Sequence, residues 1–223
     1  MTAEASKPVV LLLSIGDEGD RRLTNATWAG LIAELEAKSD VKRATTAEEA
    51  QVLMDQHPSP RGIFIPDAGI TKRGNDAVTQ RLVQFVRMGG TVIFGGVFSS
   101  LIRPPDLDRY FEKSWSLPWK YGSYHRTTVH LNTSSLGRPQ SGLPLSYSQK
   151  AVNLKNVASA SAWYFPGENS VIESRVFDAD PIVDKAQAPV AFLKVGEGYL
   201  GYTGDVNAEE ETTVVVLAML GLL

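Results

Sequence analysis

The first 97 residues alternate between short apolar runs and amphipathic segments, and this alternation constrains the fold more than any other feature of the chain. The apolar runs predict four strands, at residues 9–15, 41–44, 62–66 and 91–94. After the first run, apolar side chains recur at helical spacing, at Trp28, Leu31, Ile32 and Leu35. Strands that alternate with helices through short connections predict an α/β fold, with a doubly wound, mostly parallel sheet and helices on both faces.

The C-terminal third resumes the strand pattern. It predicts strands at residues 151–157, 171–177, 190–195 and 199–203. Gly196-Glu197-Gly198 is a hairpin signal between the last two. Asn207, with Glu210 three residues later, predicts the cap of a final helix that is apolar on almost every side.

Residues from about 98 to 150 interrupt this pattern. They contain five prolines, and residues 98–126 contain seven aromatic side chains, where the aromatic content of the whole chain predicts two or three. We therefore predict a Pro- and aromatic-rich insertion over the carboxyl edge of the sheet, within a single domain that covers residues 1–223. The aromatic segment at 98–126 either lines a pocket, contacts a partner protein or a second copy in a homodimer, or forms only its own small core.

Composition excludes several classes of function. The net charge of −3, from 22 basic and 25 acidic side chains, gives no basic footprint for nucleic acid. The apolar runs at residues 8–15 and 214–223 are too short to span a bilayer, and no signal-peptide cleavage pattern follows the first. We expect no nucleic-acid or membrane partner and a cytoplasmic protein. The chain has no cysteine, which excludes disulfides, thiolate metal sites and a cysteine nucleophile.

Acids and hydroxyls follow several predicted strands. Because ligands of open α/β sheets bind beyond the carboxyl ends of the strands, we predict ligand contacts from Asp17, Asp67, Ser99, Ser100 and Asp205. The predicted wall of this site consists of Trp115, Trp119, Tyr124, His125 and Arg126. Such groups suit a small polar ligand held by hydrogen bonds. The alternative is that the Asp and Ser residues only cap helices and fill turns.

Ser99 and His125 are weak candidates for catalysis. A serine hydrolase places its serine at a strand-to-helix elbow of the form G-x-S-x-G, with a histidine as base. Ser99 has glycines on one side only, at Gly95-Gly96. A hydrolase acting on a sugar or an ester, through Ser99 and His125 or through paired carboxylates, stays an alternative.

No metal or cofactor is predicted. His125 and His130 are five residues apart, so on a strand they point to opposite faces and do not share a metal. Residues 196–201 match G-x-G-x-x-G, but a strand follows them where a dinucleotide site needs a helix. The first strand–helix turn carries Asp17, Glu18 and Asp20, which would repel a phosphate.

Three segments resemble the class I glutamine amidotransferase-like superfamily, and within it the ThuA-like (trehalose-utilisation) branch. They are the opening strand with Gly16-Asp17, the stretch Gly62-Ile63-Phe64-Ile65-Pro66-Asp67-Ala68-Gly69 with the helix and strand that follow it, and the C-terminal segment from Pro189 through Gly201-Tyr202-Thr203-Gly204-Asp205. The resemblance covers roughly residues 8–97 and 188–223. It implies a flavodoxin-like fold.

The sequence departs from this family at its catalytic positions. Active amidotransferases of the superfamily have a cysteine in a G-x-C-x-G elbow, and Val97 stands there; the ThuA-like branch often has a histidine at that position. They also have a histidine after a late strand, where this chain reads Thr203-Gly204-Asp205-Val206-Asn207. Because glutamine hydrolysis needs a thiolate and a base, the resemblance implies a pseudoenzyme that is not a glutaminase.

We therefore expect a non-catalytic protein that binds a small polar ligand, or a partner protein, at the carboxyl edge of its sheet. The hydrolase is one alternative. The other is a structural protein that dimerises through exposed aromatic side chains.

Overall fold

The strands and helices follow the predicted alternation through the first four strands. A computed structural model describes residues 6–135, 142–174, 176 and 178–223. Within these ranges the strands are β1 (Val9–Leu13), β2 (Asp40–Ala44), β3 (Gly62–Ile65), β4 (Thr91–Phe94), β5 (Lys120–Leu131), β6 (Ser146–Lys155), β7 (Ala162–Pro166), β8 (Val171–Ile172), β9 (Asp180–Pro181), β10 (Val190–Val195) and β11 (Gly198–Thr203). The α-helices are α1 (Glu18–Thr27), α2 (Ala29–Lys38), α3 (Ala47–Gln56), α4 (Asp76–Arg87), α5 (Phe98–Leu101), α6 (Pro104–Trp115) and α7 (Glu210–Met219).

Nine strands form one mixed sheet in the order β2-β1-β3-β4-β11-β10-β7-β5-β6. The neighbours from β2 to β11 run parallel to one another. From β11 onward the neighbours are antiparallel. The prediction of an α/β fold with helices on both faces is confirmed. We call β10, β7, β5 and β6 the sheet extension.

Buried apolar stripes hold helices on both faces of the parallel strands. On one face, α2 presents the predicted stripe of Trp28, Leu31, Ile32 and Leu35, each at most 8% exposed, beside the buried α7. On the other face, α3, α4 and α6 cover β1, β3 and β4. The hydroxyl of Thr46 accepts a hydrogen bond from the Glu49 backbone N–H at 3.1 Å, as the predicted cap of α3 requires.

The segment between β4 and β10 extends the sheet. Its first part forms α5 and α6, and its second part forms the long hairpin of β5 and β6. The free edge of β6 is tied back by isolated bridges from Ala151 to Asp205 and from Leu154 to Ala188. Through these bridges β6 contacts the residues that precede β10 and those that follow β11.

One predicted strand is much shorter than the sequence pattern indicates. Of residues 171–177, only Val171–Ile172 form a strand, β8, which pairs with β9. Residues 175 and 177 lie outside the described residues.

Candidate functional site

Several of the ligand contacts that the sequence predicts at the carboxyl edge of the parallel strands are buried. Four side chains at that edge are at most 3% exposed: Asp67, Val97, Ser99 and Asp205. Each of the four has a local partner or packs into the core. Asp67, Ser99 and Asp205 therefore stabilise turns inside the protein.

Asp67 joins the turns after β1 and β3. Its carboxylate accepts a hydrogen bond from the Ser14 hydroxyl at 2.5 Å and one from the Gly69 backbone N–H at 2.8 Å. Burial raises the pKa of the Asp67 carboxyl above its usual value, although these two bonds oppose the shift. Its contacts are those of a buried structural carboxyl group.

Asp205 has the same role in the turn between β11 and α7. Its two carboxylate oxygens accept hydrogen bonds from the backbone N–H groups of Asn207 and Glu209, both at 2.8 Å. Burial raises the pKa of Asp205 as well. The helix begins at Glu210 with Glu209 at its N-cap position and no side-chain capping bond, so the predicted cap by Asn207 is wrong, and Asp205 stabilises the turn before the helix.

The turn after β4 has its positive φ at Gly96, whereas Val97, with φ of −90°, is unstrained and faces inward. Gly96 has φ of +62°, and a Cβ atom there would lie 2.6 Å from the Pro66 carbonyl oxygen, so a side chain would be strained. The Val97 N–H donates to that same carbonyl at 2.8 Å. Val97 is 3% exposed and packs in the core on the α2 and α7 face. Its side chain does not reach an accessible pocket.

Ser99 and His125 do not form a catalytic pair. The Ser99 hydroxyl is buried and donates to the Gly204 carbonyl at 3.2 Å. The Nε2 atom of His125 is buried and has no hydrogen-bond partner. Ser100 and Asp17 are exposed, and Asp17 caps α1 and lies 3.5 Å from the Lys72 ammonium group.

The expectation that Trp115 and Trp119 form a ligand wall is wrong. They are 3% and 2% exposed and pack against the sheet beneath α6. The ring of Trp115 lies edge-on to Phe94 at 5.9 Å, and that of Trp119 edge-on to Phe111 at 5.0 Å. Phe98 and Tyr110 are buried in the same cluster, so most of the aromatic segment at 98–126 is internal and cannot contact a second copy.

The other three predicted wall residues lie together at an open cleft of about 1070 Å³. Tyr124, His125 and Arg126 form one side, on β5. The remaining lining comes from β6, from the segment around β8 and β9, and from the turn before α7: Ser148, Lys150, Ile172, Glu173, Ser174, Asp178, Asp180, Asn207 and Glu209. We call this the extension cleft.

Arg126 and Glu173 organise the polar groups of the extension cleft. The Arg126 guanidinium donates to Glu209 Oε1 at 2.5 Å and to the Ser148 hydroxyl at 3.1 Å. Glu173 accepts from the Thr128 hydroxyl at 2.7 Å and from the Ser148 hydroxyl at 2.6 Å. These contacts fix two carboxylates and one guanidinium in place before a ligand arrives.

Among the described residues that line the extension cleft, acids outnumber bases. Four carboxylates, from Glu173, Asp178, Asp180 and Glu209, stand against two cations, Arg126 and Lys150. The Lys150 ammonium lies 5.0 Å from the centre of the Tyr124 ring, a cation–π contact. Desolvation lowers the pKa of His125 below its usual 6.5, so its imidazole is neutral at pH 7. An anionic ligand is therefore disfavoured.

The described residues provide neither a metal cluster nor a membrane span. Within them, no three His, Asp or Glu side chains are placed to hold a metal ion. No helix in the described part of the chain is long and apolar enough to cross a membrane.

Sequence reasoning missed the acids of the extension cleft. Glu209 follows Asp205 in the late turn, and that nearness was the only available signal. Glu173 and Lys150 lie on separate segments that meet only because β8 bridges to Arg126 and β6 pairs with β5.

Solved structures share this fold over almost the whole chain. A ThuA-like protein from Parabacteroides merdae is similar at a TM-score of 0.57 and 10% identity, over 98% of this chain and 92% of its own. A ThuA-like protein from Bacteroides uniformis gives a TM-score of 0.58 at 10% identity, over 97% and 91%. The resemblance to the ThuA-like branch thus extends to the fold.

A β-galactosidase from Bacillus circulans sp. alkalophilus also contains this fold. The TM-score is 0.56 at 13% identity, over 96% of this chain but only 30% of the galactosidase chain. No protein-family model and no curated protein sequence matches the chain. At such low identities these likenesses show a flavodoxin-like α/β fold and no activity.

Proposed function

We propose that this is a non-catalytic glutamine amidotransferase-like protein that binds a small polar ligand in the extension cleft. The observation that carries the proposal is the preformed network in which Arg126, Glu173 and Glu209 are fixed by one another and by Ser148 around an accessible cleft. Polar groups held in advance lose little conformational freedom on binding, which favours affinity for a hydroxyl-rich ligand.

The excess of carboxylates over cations determines which ligand charge the extension cleft favours. An uncharged molecule can donate hydrogen bonds to Glu173 and Glu209 and accept them from Lys150, and a cation is attracted by the carboxylates. An anion would meet four carboxylates and two cations among the described lining residues. The proposed ligand is therefore a neutral polyhydroxylated molecule or a small cation.

Three features support the absence of covalent chemistry. The chain has no cysteine, Val97 is closed off at the elbow, and Ser99 is buried without a histidine partner. A nucleophile needs a base within hydrogen-bond reach. The hydrolase alternative retains only the carboxylates of the extension cleft, and the dimerisation alternative loses the buried aromatic side chains on which it depended.

The test is a titration of backbone amide NMR signals with uncharged, cationic and anionic probes: methyl β-D-galactopyranoside, glycerol, choline and citrate. We expect the amides of residues 124–126, 148–150 and 207–209 to shift with an uncharged or cationic probe and not with citrate. Glu209→Gln, which weakens the pair with Arg126, should reduce the affinity about tenfold. Glu36→Gln on α2 removes a similar pair, with Arg43 at 2.6 Å, and should change nothing.

Two results would contradict the proposal. Preferential binding of citrate at these amides would reverse the assigned charge. Turnover of p-nitrophenyl β-D-galactopyranoside or p-nitrophenyl acetate that disappears in Glu209→Gln would make the extension cleft an active site.

A further inference from the structure

A row of three aromatic rings lies on three central strands of the sheet, away from the extension cleft. Trp163 on β7, Phe192 on β10 and Tyr199 on β11 occupy three adjacent strands. The Trp163 and Phe192 ring centres are 4.7 Å apart and tilted by 62°. The Phe192 and Tyr199 rings are stacked, 5.0 Å apart and within 9° of parallel. We call these three residues the aromatic ladder.

The aromatic ladder lines a cavity of about 860 Å³. Its open end is Tyr199, which is 41% exposed, whereas Trp163 is 3% exposed. Gly201 pairs with Phe192 across the strands, and a Cβ atom at Gly201 would lie 3.3 Å from the Phe192 ring. The glycine thus leaves the space in which the Phe192 ring stacks beside Tyr199.

Polar groups surround this apolar surface. Ser161, Lys194 and Arg61 line the same cavity. The Arg61 guanidinium donates to the carbonyls of Leu220 and Gly221, at 2.8 and 2.6 Å, at the end of α7. The Lys194 ammonium lies 3.3 Å from Glu197. Because Arg61 and Lys194 already have partners, the polar groups around the cavity supply hydrogen bonds more than net positive charge.

These features match the chemistry of a sugar ring. One face of a pyranose presents axial C–H groups, which carry a weak positive charge and pack on the negative face of an aromatic ring. Its hydroxyl groups lie around the perimeter and need hydrogen-bond partners at the rim. A binding cavity that combines aromatic side chains with a few polar groups fits this pattern.

We propose that the cavity at the aromatic ladder is a second binding site, for one hexopyranose unit stacked on the exposed face of Tyr199. Phe192 and Trp163 support the Tyr199 ring from behind, and Lys194 and Ser161 bond the sugar hydroxyls. This site shares no residue with the extension cleft and does not depend on the function proposed for it.

The test is saturation-transfer NMR with three probes: methyl β-D-galactopyranoside, methyl β-D-glucopyranoside and methyl α-D-mannopyranoside. Saturation of the aromatic protons should transfer to the C–H protons on one face of at least one probe. Tyr199→Ala should weaken that binding about tenfold, while Tyr199→Phe keeps the ring and retains most of it. Leu23→Ala, an exposed position on α1 that lines neither cavity, should leave this signal unchanged.

A blocking variant guards against a folding defect in Tyr199→Ala. Ala160 is exposed and lines the same cavity, so Ala160→Trp should fill it and abolish the signal while the far-ultraviolet circular dichroism stays unchanged. The proposal is overturned if no probe receives saturation, or if Tyr124→Ala, in the extension cleft, removes the signal and Tyr199→Ala does not. It is also overturned if sedimentation velocity shows a dimer that Tyr199→Ala dissociates, since a second copy would then occupy the surface.

Discussion

Two carboxyl groups that resemble ligand contacts in the sequence hold turns together in the structure. Asp67 and Asp205 are fully buried, and each accepts two hydrogen bonds from nearby groups. Burying a carboxylate costs free energy unless its oxygens are satisfied. Both groups meet this requirement, Asp205 within its own turn and Asp67 by also bonding Ser14 after β1, so neither needs a ligand.

The raised pKa of Asp67 predicts a particular dependence of stability on pH. A carboxyl whose folded pKa lies above its unfolded value of about 3.8 contributes most to stability below that value, and the contribution is lost as pH rises through the folded pKa. Asp67→Asn removes this titration and keeps an oxygen for the Gly69 N–H. The difference in free energy of unfolding, variant minus parent, should therefore increase from pH 4 to pH 7. Urea denaturation of both proteins measures this difference.

Two comparisons complete this experiment. Asp17→Asn changes an exposed acid whose pKa is lowered, so its relative stability should not increase over the same range. Asp67→Ala removes both hydrogen bonds as well as the titration, so it should cost about 2–4 kcal/mol at pH 4 and less at pH 7. A constant difference for Asp67→Asn from pH 4 to pH 7 would contradict a pKa of Asp67 that burial raises.

At the scale of elements, α6 stabilises the molecule through its aromatic side chains. Trp115 and Trp119 are buried against β4 and β11 through Phe94, Phe111 and Tyr202. Trp115→Ala should lower the unfolding free energy by about 3–5 kcal/mol, because it leaves a large cavity. Urea denaturation checks this value, and Tyr124→Ala, which alters an exposed ring, should cost far less.

Trp115→Ala and Trp119→Ala also test whether these two rings mediate association. Under conditions in which both variants are folded, light scattering should give the molecular mass of the parent protein for each. A loss of mass in either folded variant would mean that these rings contact a partner, contrary to their burial.

The sequence predicts some elements well because their side chains face a uniform environment. Strands β1, β3 and β4 are buried on both faces, so their composition is continuously apolar, and Gly196 to Gly198 mark the last hairpin. The hairpin of β5 and β6 is different, since its faces meet core, cleft and solvent in turn. The apolar residues of β5 and β6 therefore follow no single period along the sequence. Neither this hairpin nor Glu173 in the extension cleft was predicted.

At the scale of the whole molecule, the parallel strands and the sheet extension have separate roles. The parallel strands form a core in which the turns at Asp67 and Asp205 are buried. The sheet extension carries much of the lining of the extension cleft and two of the three rings of the aromatic ladder. The accessible polar side chains of the extension cleft are thus separate from the buried Val97 that follows β4.

The most direct test of this arrangement compares the reactivity of one introduced thiol at two positions. The chain has no cysteine, so Val97→Cys and Tyr124→Cys each contain a single thiol. Val97 is 3% exposed and Tyr124 is 51% exposed. Reaction with 5,5′-dithiobis(2-nitrobenzoic acid) should be fast for Tyr124→Cys. For Val97→Cys it should be at least about a hundredfold slower, because the protein must open first. Both variants should react equally in urea. Fast labelling of folded Val97→Cys would show an open elbow and contradict this account.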